Sequence, residues 1–247
     1  MGMPRRKVII IQARLSSTRF PKKIVQPLLG KPIIDWVLEA CLQARHHKFI
    51  CLATPSTHDH EQLWEHVRSS FPDVSISTGP EGNVHSRFTE VLMHYREYLD
   101  EEPEQVGVVR VCADRPLLST RFIDALLHRN DNEHLLYNHV PPPGIGGPQG
   151  LGAESLSKSL AKDFFCRETV LDPYDQEHVT SALYRNRFVG PRYCPPTDLP
   201  VDIGHWNCRF DLDDKTDMPW IEALAASRLR SLLSREMSLR DHGASGL

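Results

Sequence analysis

The chain has 247 residues, of which 40% are hydrophobic and 25% are charged. This length and composition suit one large α/β domain, or two small ones, with a buried core. The formal net charge of −3 disfavours general nucleic-acid binding, because that function usually needs a broadly basic face. No apolar run approaches the ~20 residues of a membrane span, and the one after the basic N-terminus is too short for a signal peptide. We therefore expect a cytoplasmic protein without membrane or nucleic-acid partners.

Strands and helices alternate through the first half of the chain. Hydrophobic periodicity and capping residues predict, in order, strand 7–13, helix 32–44, strand 49–53, helix 58–70, strand 73–77, helix 84–99, strand 106–112, helix 119–129 and strand 135–138. This βαβα order predicts an α/β fold with a mostly parallel sheet and helices on both faces.

A segment rich in Gly and Pro, residues 141–150, interrupts this order. We interpret it as a lid or a dimer-forming excursion rather than a linker, because the remaining chain is too short for an independent core. The pattern then predicts helices 155–165 and 172–184, strands 188–194 and 208–212, and a terminal helix 215–233. We expect one domain over residues 1–240 and a flexible tail over residues 241–247.

The cysteines and histidines do not form a recognisable metal-binding motif. The six cysteines are scattered without a C-x-x-C pair, which predicts reduced, mostly buried thiols. Two histidine pairs, His46-His47 and His58-x-His60, lack a third ligand at helical or strand spacing. Neither pair is therefore expected to bind a metal.

A cationic segment follows the first predicted strand directly. Residues 12–23 contain Arg14, Arg19, Lys22 and Lys23 together with three hydroxyl side chains. Ligands bind just past the carboxyl ends of parallel strands, and arginine and lysine side chains bind phosphate oxygens. The segment has no Walker G-x-x-x-x-G-K-[ST] pattern, so side chains must hold the phosphates. It predicts a site for a nucleoside triphosphate, with a solvated loop as the alternative.

Two aspartates each lie just past a predicted strand. Asp114 follows the strand at 106–112, and Asp213 lies in a segment, residues 211–217, that carries four acids. Magnesium is commonly held by one or two protein carboxylates, with substrate phosphates and water completing its shell. Asp114 and Asp213 are therefore candidate metal ligands beside a triphosphate. The alternative is that Asp213 or Asp214 only caps the last helix and that Asp114 only braces a turn.

Several blocks of the sequence then match a known family in the right order. They are residues 11–23 (I-Q-A-R-L-S-S-T-R-F-P-K-K) with 28–33, residues 110–117 (R-V-C-A-D-R-P-L), residues 175–180 (D-Q-E-H-V-T), and residues 209–213 (R-F-D-L-D) with Asp217. These blocks resemble the cytidylyltransferases, and most closely the subgroup named for spore coat polysaccharide biosynthesis protein F. More distant relatives in that family activate acidic sugars such as 3-deoxy-manno-octulosonate and neuraminate.

The resemblance implies a single-domain, Rossmann-like nucleotide-diphospho-sugar transferase fold, usually a homodimer. It implies CTP as nucleotide, Mg²⁺ as cofactor at Asp114 and Asp213, a small anionic acceptor and pyrophosphate as product. The residues that it places at the nucleotide are Ala13, Arg14, Ser17, Thr18, Arg19, Lys23, Ala53, Thr54 and Arg87, and those near the acceptor are Arg115, Glu154, His178 and Arg185. The catalytic residues by this reasoning are Arg14, Lys23, Asp114 and His178. His178 is either a general base or a histidine that only hydrogen-bonds within the site.

The sequence departs from the subgroup pattern at several positions. Lys22 replaces a loop glycine, Ala113 replaces the glycine before the metal aspartate, and Arg115 replaces a cysteine. Three acids of the subgroup are also missing, two within residues 83–87 and one within residues 150–154. Arg115 favours a more anionic acceptor, an acidic sugar or a phosphonate or phosphate.

Two other functional classes stay open from the sequence. The spelling D-x-D at residues 211–213 also occurs in nucleotide-sugar-dependent glycosyltransferases, although it is a weak signal. The missing acids are compatible with a non-catalytic nucleotide-binding homologue.

Overall fold

The computed structural model describes residues 7–45, 47–97, 107–128, 136–138, 150, 152–166, 171–185, 192–193 and 210–227. Its strands are β1 (Lys7–Gln12), β2 (Pro27–Leu28), β3 (Lys31–Pro32), β4 (His47–Pro55), β5 (Val74–Gly79), β6 (Gly107–Cys112), β7 (Leu136–Asn138), β8 (Glu154–Ser157) and β9 (Arg192–Tyr193). Its α-helices are α1 (Ile33–Leu42), α2 (Glu61–Ser70), α3 (Val84–His94), α4 (Thr120–His128), α5 (Lys158–Phe165), α6 (Pro173–Glu177), α7 (Ser181–Arg185) and α8 (218–227).

Seven of these strands form one sheet in the order β5-β4-β1-β6-β8-β7-β9. Strands β5, β4, β1 and β6 are parallel, whereas β8 is antiparallel to both of its neighbours. Gln12, the last residue of β1, pairs with Ala53 on one side and Cys112 on the other. The chain segments that follow β1, β4 and β6 therefore leave the sheet at the same edge.

The central strand β1 is buried on both faces of the sheet. Val8, Ile9, Ile10 and Ile11 are all fully buried, although successive side chains of a strand point to opposite faces. Packed helices therefore cover both faces, as a doubly wound sheet requires. The prediction of a single-domain, Rossmann-like α/β fold with a mostly parallel sheet is confirmed.

The structure corrects three of the predicted elements. The predicted helix 155–165 begins as strand β8, and only residues 158–165 are helical, because Ser157 caps α5 at Leu160 N. The predicted helix 172–184 is two short helices that are interrupted at His178. Within the predicted strand 208–212, the described residues 210–212 are not a strand, because the Leu212 amide donates to Asp114 in the turn after β6.

Some predictions lie outside the described residues. They concern the Gly/Pro-rich excursion apart from Gly150, the end of the terminal helix beyond 227, the tail 241–247, and Cys194, Cys208 and Arg209. Among the described cysteines, Cys41, Cys51 and Cys112 are buried and Cys166 is partly buried, and all four are free thiols. In the ranges that the structure describes, no helix has the length and apolar character needed to cross a bilayer.

Candidate active site

The cationic segment after β1, which we call the phosphate loop (residues 13–23), is closed by its own backbone. The Lys22 amide donates to the Leu15 carbonyl at 2.8 Å, and Lys22 takes a left-handed conformation with φ +57°. A 3₁₀ turn, Lys23–Val25, follows at once. The turn directs Lys23 inward, so its side chain is only 10% exposed, whereas Thr18 and Arg19 are exposed.

Lys23 joins the phosphate loop to both predicted metal-binding segments. Its Nζ lies 2.6 Å from Asp114 Oδ2 and donates to the Leu212 carbonyl at 2.6 Å. The Leu212 amide in turn donates to the Asp114 carbonyl at 3.2 Å. The residue before Asp213 is thus bonded to Asp114 itself, and the two candidate metal ligands lie on adjacent segments of chain.

The acidic segment 211–217 divides its carboxylates between two tasks. Asp214 and Asp217 form a reciprocal capping box: the Asp214 side chain accepts from Thr216 N and the Asp217 side chain accepts from Asp214 N. Asp213 is not the cap, and its carboxylate pairs with Arg19 Nη1 of the phosphate loop at 2.5 Å. Because Asp214 and Asp217 cap the turn, the Asp213 carboxylate faces the loop cations instead.

The segment of α6 lies against the other side of the phosphate loop. Glu177, the last residue of α6, pairs with Arg14 Nη2 at 2.8 Å, with both side chains somewhat more than two-fifths exposed. His178 follows it, is exposed, and packs its ring against Tyr174 at a centroid distance of 4.3 Å. Glu177 therefore links the two predicted regions: it pairs with Arg14, predicted at the nucleotide, and it precedes His178, predicted at the acceptor. Sequence reasoning did not single out Glu177, although it lies inside the D-Q-E-H-V-T block.

The strand ends that flank β1 supply the predicted base-reading segment. The Ala13 amide donates to the Ala53 carbonyl at 3.1 Å, and both residues are buried. Thr54 is also buried, and its Oγ1 accepts a hydrogen bond from Trp64 Nε1 at 2.7 Å. The predicted nucleotide residues Ala13, Ala53 and Thr54 are therefore brought together by the register of β1 and β4.

Arg87 is a buried cation next to the phosphate loop. Its Nη1 donates to the carbonyls of Pro80 and Glu81 at 2.7 and 2.9 Å. Its Nε is buried and has no hydrogen-bond partner among the described residues. Burial, and then the nearby charge of Arg14, lower the pKa of Arg87 to about 10. A guanidinium with a spare buried donor beside Arg14 suits an anionic ligand, as its predicted nucleotide role requires.

Two of the predicted acceptor residues, Glu154 and Arg115, bond to neighbouring segments of the chain. Arg110 Nη1 donates to Glu154 Oε2 at 2.6 Å, Arg110 Nε donates to Gln12 Oε1 at 2.9 Å, and Thr180 Oγ1 donates to Glu154. Arg115 donates to the Gly152 carbonyl, and its buried Nε has no partner within the described parts of the chain. Glu154 is thus engaged by Arg110 and Thr180, whereas Arg115 retains an unused donor.

Ser17 is half-buried in the phosphate loop. Arg185 is the last residue of α7, and its side chain lies outside the described residues.

Two further residues, His60 and Trp64, contact the predicted nucleotide site from the start of α2. Sequence reasoning considered His60 only as a metal ligand. A backbone-to-imidazole bond between residues 45 positions apart leaves no periodic signal in the sequence.

Asp114 and Asp213 are the carboxylates that could hold a magnesium ion. In the described ranges, no group of three or more His, Cys, Asp or Glu side chains could hold a metal by itself. Asp114 and Asp213 are partly exposed and lie on adjacent segments, with side chains 25% and 16% accessible. Oxygen ligands from one or two carboxylates plus substrate phosphates are what Mg²⁺ commonly takes. The residues present therefore fit Mg²⁺ bound together with a nucleotide, and not a site built from protein ligands alone.

This geometry defines a class of protein. A parallel sheet with clustered cations and carboxylates at one edge suits an enzyme that acts on nucleoside triphosphates. The cytidylyltransferase family model matches residues 8–187 of the chain. This match covers well over half of the sequence, and the chain therefore belongs to the cytidylyltransferase family.

Individual relatives agree with this assignment. The chain is 25% identical to Spore coat polysaccharide biosynthesis protein SpsF of Bacillus subtilis, over 92% of this chain and 94% of that protein. It is 32% identical to 3-deoxy-manno-octulosonate cytidylyltransferase of Blochmanniella floridana, over 81% of this chain and 70% of that protein. The solved structure of CMP:2-keto-3-deoxy-manno-octonic acid synthetase complexed with CTP has a similar fold, with 16% identity and a TM-score of 0.58, covering 90% of this chain and 99% of that one.

Family membership confirms the resemblance inferred from the sequence blocks. It also confirms the prediction of a CTP-dependent nucleotidyltransferase. The glycosyltransferase alternative rested on the D-x-D spelling at 211–213. In the structure, Asp213 of that spelling pairs with Arg19 of the phosphate loop.

Proposed function

We propose that this enzyme transfers CMP from CTP to a small anionic acceptor, an acidic sugar or a phosphonate or phosphate, with Mg²⁺ at Asp114 and Asp213. The observation that carries the proposal is the position of Lys23. Its ammonium group bonds both Asp114 and the carbonyl that precedes Asp213. The Lys23 ammonium is thereby held between the two acidic segments. A metal-bound triphosphate needs a cation for its phosphates and carboxylates for its metal at the same place.

The reaction follows from the ordinary chemistry of phosphoryl transfer. An acceptor oxygen attacks the α-phosphorus of CTP in line, a new P–O bond forms, and the bond to the bridging oxygen breaks so that pyrophosphate leaves. Arg14 and Lys23 offset the charge on the phosphoryl oxygens and the leaving group. Asp114 and Asp213 would hold Mg²⁺, which when bound would supply further positive charge to the phosphate oxygens.

The acceptor side supports an anionic substrate. Arg115 keeps a buried donor without a partner among the described residues, and it lies between Asp114 and the start of β8 through its bond to Gly152. A guanidinium binds carboxylate or phosphonate oxygens with more than one donor. Glu154 is engaged by Arg110 and supports the acceptor site from within the core. If the acceptor group is a hydroxyl, we propose that His178, which follows the Arg14 partner Glu177, takes its proton.

The test is a pyrophosphate-release assay with CTP and a panel of acidic sugars, phosphonates and phosphates. We expect release with CTP and one acceptor class, little release with UTP, ATP or GTP, and loss of release when EDTA removes the metal. Binding of CTP without release for any acceptor would instead support a non-catalytic homologue. Transfer of a sugar from a nucleotide sugar would support a glycosyltransferase.

Dimer formation and a cytoplasmic location, which the sequence predicts, belong to the same proposal. Sedimentation equilibrium of the full chain measures the oligomeric state. We expect twice the monomer mass of 28.2 kDa.

A further inference from the structure

His60, at the N-terminal end of α2, is almost completely buried and uses both ring nitrogens. The Leu15 amide donates to His60 Nε2 at 3.1 Å, and Nδ1 lies 2.7 Å from Thr57 Oγ1. A ring nitrogen that accepts a hydrogen bond carries no proton. Nδ1 therefore holds the proton of a neutral imidazole and donates it to the threonine hydroxyl. The contacts require the neutral ring in one tautomer.

Leu15 is the point at which the phosphate loop is fixed. Its amide is held by His60, and its carbonyl accepts from the Lys22 amide. Arg14 precedes this point and Lys23 follows the closing bond. The orientation of both catalytic cations therefore depends on a backbone that His60 anchors from outside the loop.

The surroundings of His60 favour the neutral ring. Burial lowers the pKa of His60, and the charge of Arg87 lowers it further. Two acids, Glu81 and Asp59, act in the opposite direction but do not outweigh burial. Trp64, one turn along, stacks with the ring at a centroid distance of 6.5 Å. An imidazole in this environment is neutral at neutral pH.

We propose that His60 is a positioning residue for the phosphate loop, and that its protonation releases Leu15 and weakens triphosphate binding at acid pH. An imidazolium has two donors and no acceptor, so it faces the Leu15 amide with a second N–H group. The unpaired buried amide then favours opening of the loop. The ligand named here, the triphosphate of CTP, rests on the proposed function, whereas the effect on the loop does not.

The same helix end contains an internal comparison. Trp64 donates to Thr54 at the end of β4, whereas His60 accepts from Leu15 in the phosphate loop. The two residues thus anchor different halves of the predicted nucleotide site. A change at His60 is expected to act on the triphosphate half, and a change at Trp64 on the base half.

The experiment compares the wild type with His60→Gln and His60→Leu. A glutamine oxygen can accept from the Leu15 amide and does not titrate in this range, whereas leucine cannot accept. Hydrogen–deuterium exchange of residues 13–22 is measured without nucleotide between pH 5.5 and 8 and corrected for intrinsic exchange. We expect about tenfold faster opening in His60→Leu at every pH. In the wild type we expect the same faster opening of the loop only as the pH falls. In His60→Gln we expect the opening rate to depend little on pH.

Calorimetric binding of CTP provides the second readout, with His85→Gln as control. His85 is also buried with a lowered pKa, but its ring bonds the Phe164 carbonyl and not the loop. We expect the Kd for CTP to rise more steeply at acid pH in the wild type and the control than in His60→Gln, because protonation of the terminal phosphate of CTP, with a pKa of about 6, is common to all three.

The outcomes separate the two proposals. Equal loop exchange and equal pH dependence in the wild type and all His60 variants would overturn the role of His60. If His60→Leu fails to fold, a His60→Gln profile that falls at acid pH like that of the wild type would overturn it equally. A wild type that shows the exchange pattern but does not bind CTP counts against the proposed function alone.

Discussion

The Arg110 guanidinium and the Glu154 carboxylate form an ion pair of 2.6 Å between the antiparallel strands β6 and β8. The two residues face each other in the register of these strands, and their side chains are 12% and 8% exposed. Gln12 and Thr180 complete the network by bonding Arg110 and Glu154 respectively. The network therefore joins the end of β1 to the acceptor side of the site.

Breaking this pair is predicted to destabilise the fold. The variant Glu154→Gln removes the negative charge that pairs with the buried Arg110 guanidinium, and removal of one member of a buried pair costs about 3–5 kcal/mol. Urea unfolding measures the effect, with Glu90→Gln on the exposed face of α3 as control. A stable Glu154→Gln enzyme with a raised KM for the acceptor alone would instead make Glu154 a direct acceptor contact.

Arg14 is predicted to be required for transfer and not for folding. Its pair with Glu177 is substantially exposed, so Arg14→Ala is expected to leave the melting temperature nearly unchanged. Loss of a preorganised contact to the developing charge reduces turnover by ~10²–10³-fold. Steady-state pyrophosphate release measures this, with Arg45→Ala as the control for an exposed arginine.

Asp114→Asn is expected to reduce turnover at least as much as Arg14→Ala. Near-normal transfer by either variant would remove that residue from the mechanism.

Lys22 is predicted to be conformationally strained. Its φ of +57° is unfavourable for a residue with a Cβ, by roughly 1–2 kcal/mol relative to the right-handed region. Lys22→Gly is therefore expected to unfold at a higher temperature than Lys22→Ala, because both remove the charge and only glycine accepts the conformation. Differential scanning calorimetry of the two variants makes the comparison. Equal melting temperatures would mean that the left-handed turn is not maintained in solution.

Gly150 is predicted to hold the acidic segment in place. A Cβ at this position would collide with the backbone of Phe210 and Asp211, and its φ of +89° disfavours ordinary side chains. Gly150→Ala is expected to displace the segment that carries Asp213 and to reduce cytidylyl transfer together with stability. Gly82→Ala is the control, since a Cβ there meets open space and needs no left-handed backbone. Full activity and stability of Gly150→Ala would contradict the close packing of these two segments.

Stability is predicted to fall on acidification because of two buried histidines. Burial lowers the folded-state pKa of His85 and of His60 below 6.5, so both fold as neutral rings. Their contribution is fully present above pH 6.5 and is lost as the pH falls through the folded-state pKa. Urea unfolding from pH 8 to pH 5 should show this loss, and a smaller one in His85→Gln. His58→Gln is the control. Glu61 raises the pKa of this exposed histidine, so His58 contributes to stability at acid pH and not at alkaline pH, opposite to His85 and His60.

The sequence was sufficient for the parallel strands β1, β4, β5 and β6 and for the cationic segment that follows β1. The fully apolar strand at 7–12 and the cations that follow it are local patterns, and local patterns are visible in periodicity and charge. The same is true of the helix start at Asn83, where a side chain caps its own helix. The start of α5 was instead predicted at residue 155, and strand β8 before Ser157 was missed. Asp114 and Asp213 were also singled out as candidate metal ligands, because each follows a buried strand or lies in an acidic cluster.

Tertiary structure alone decided how these parts meet. The bonds from Lys23 to Asp114 and to Leu212 span distant parts of the chain, and no sequence period encodes them. Residue 212 was expected in a strand, but its amide is used by the turn after β6, which brings Asp213 to Arg19. The anchoring of Leu15 by His60 has the same origin. Side chains far apart in sequence become partners only when parallel strands end at one edge of the sheet, since that edge is where their following loops must converge.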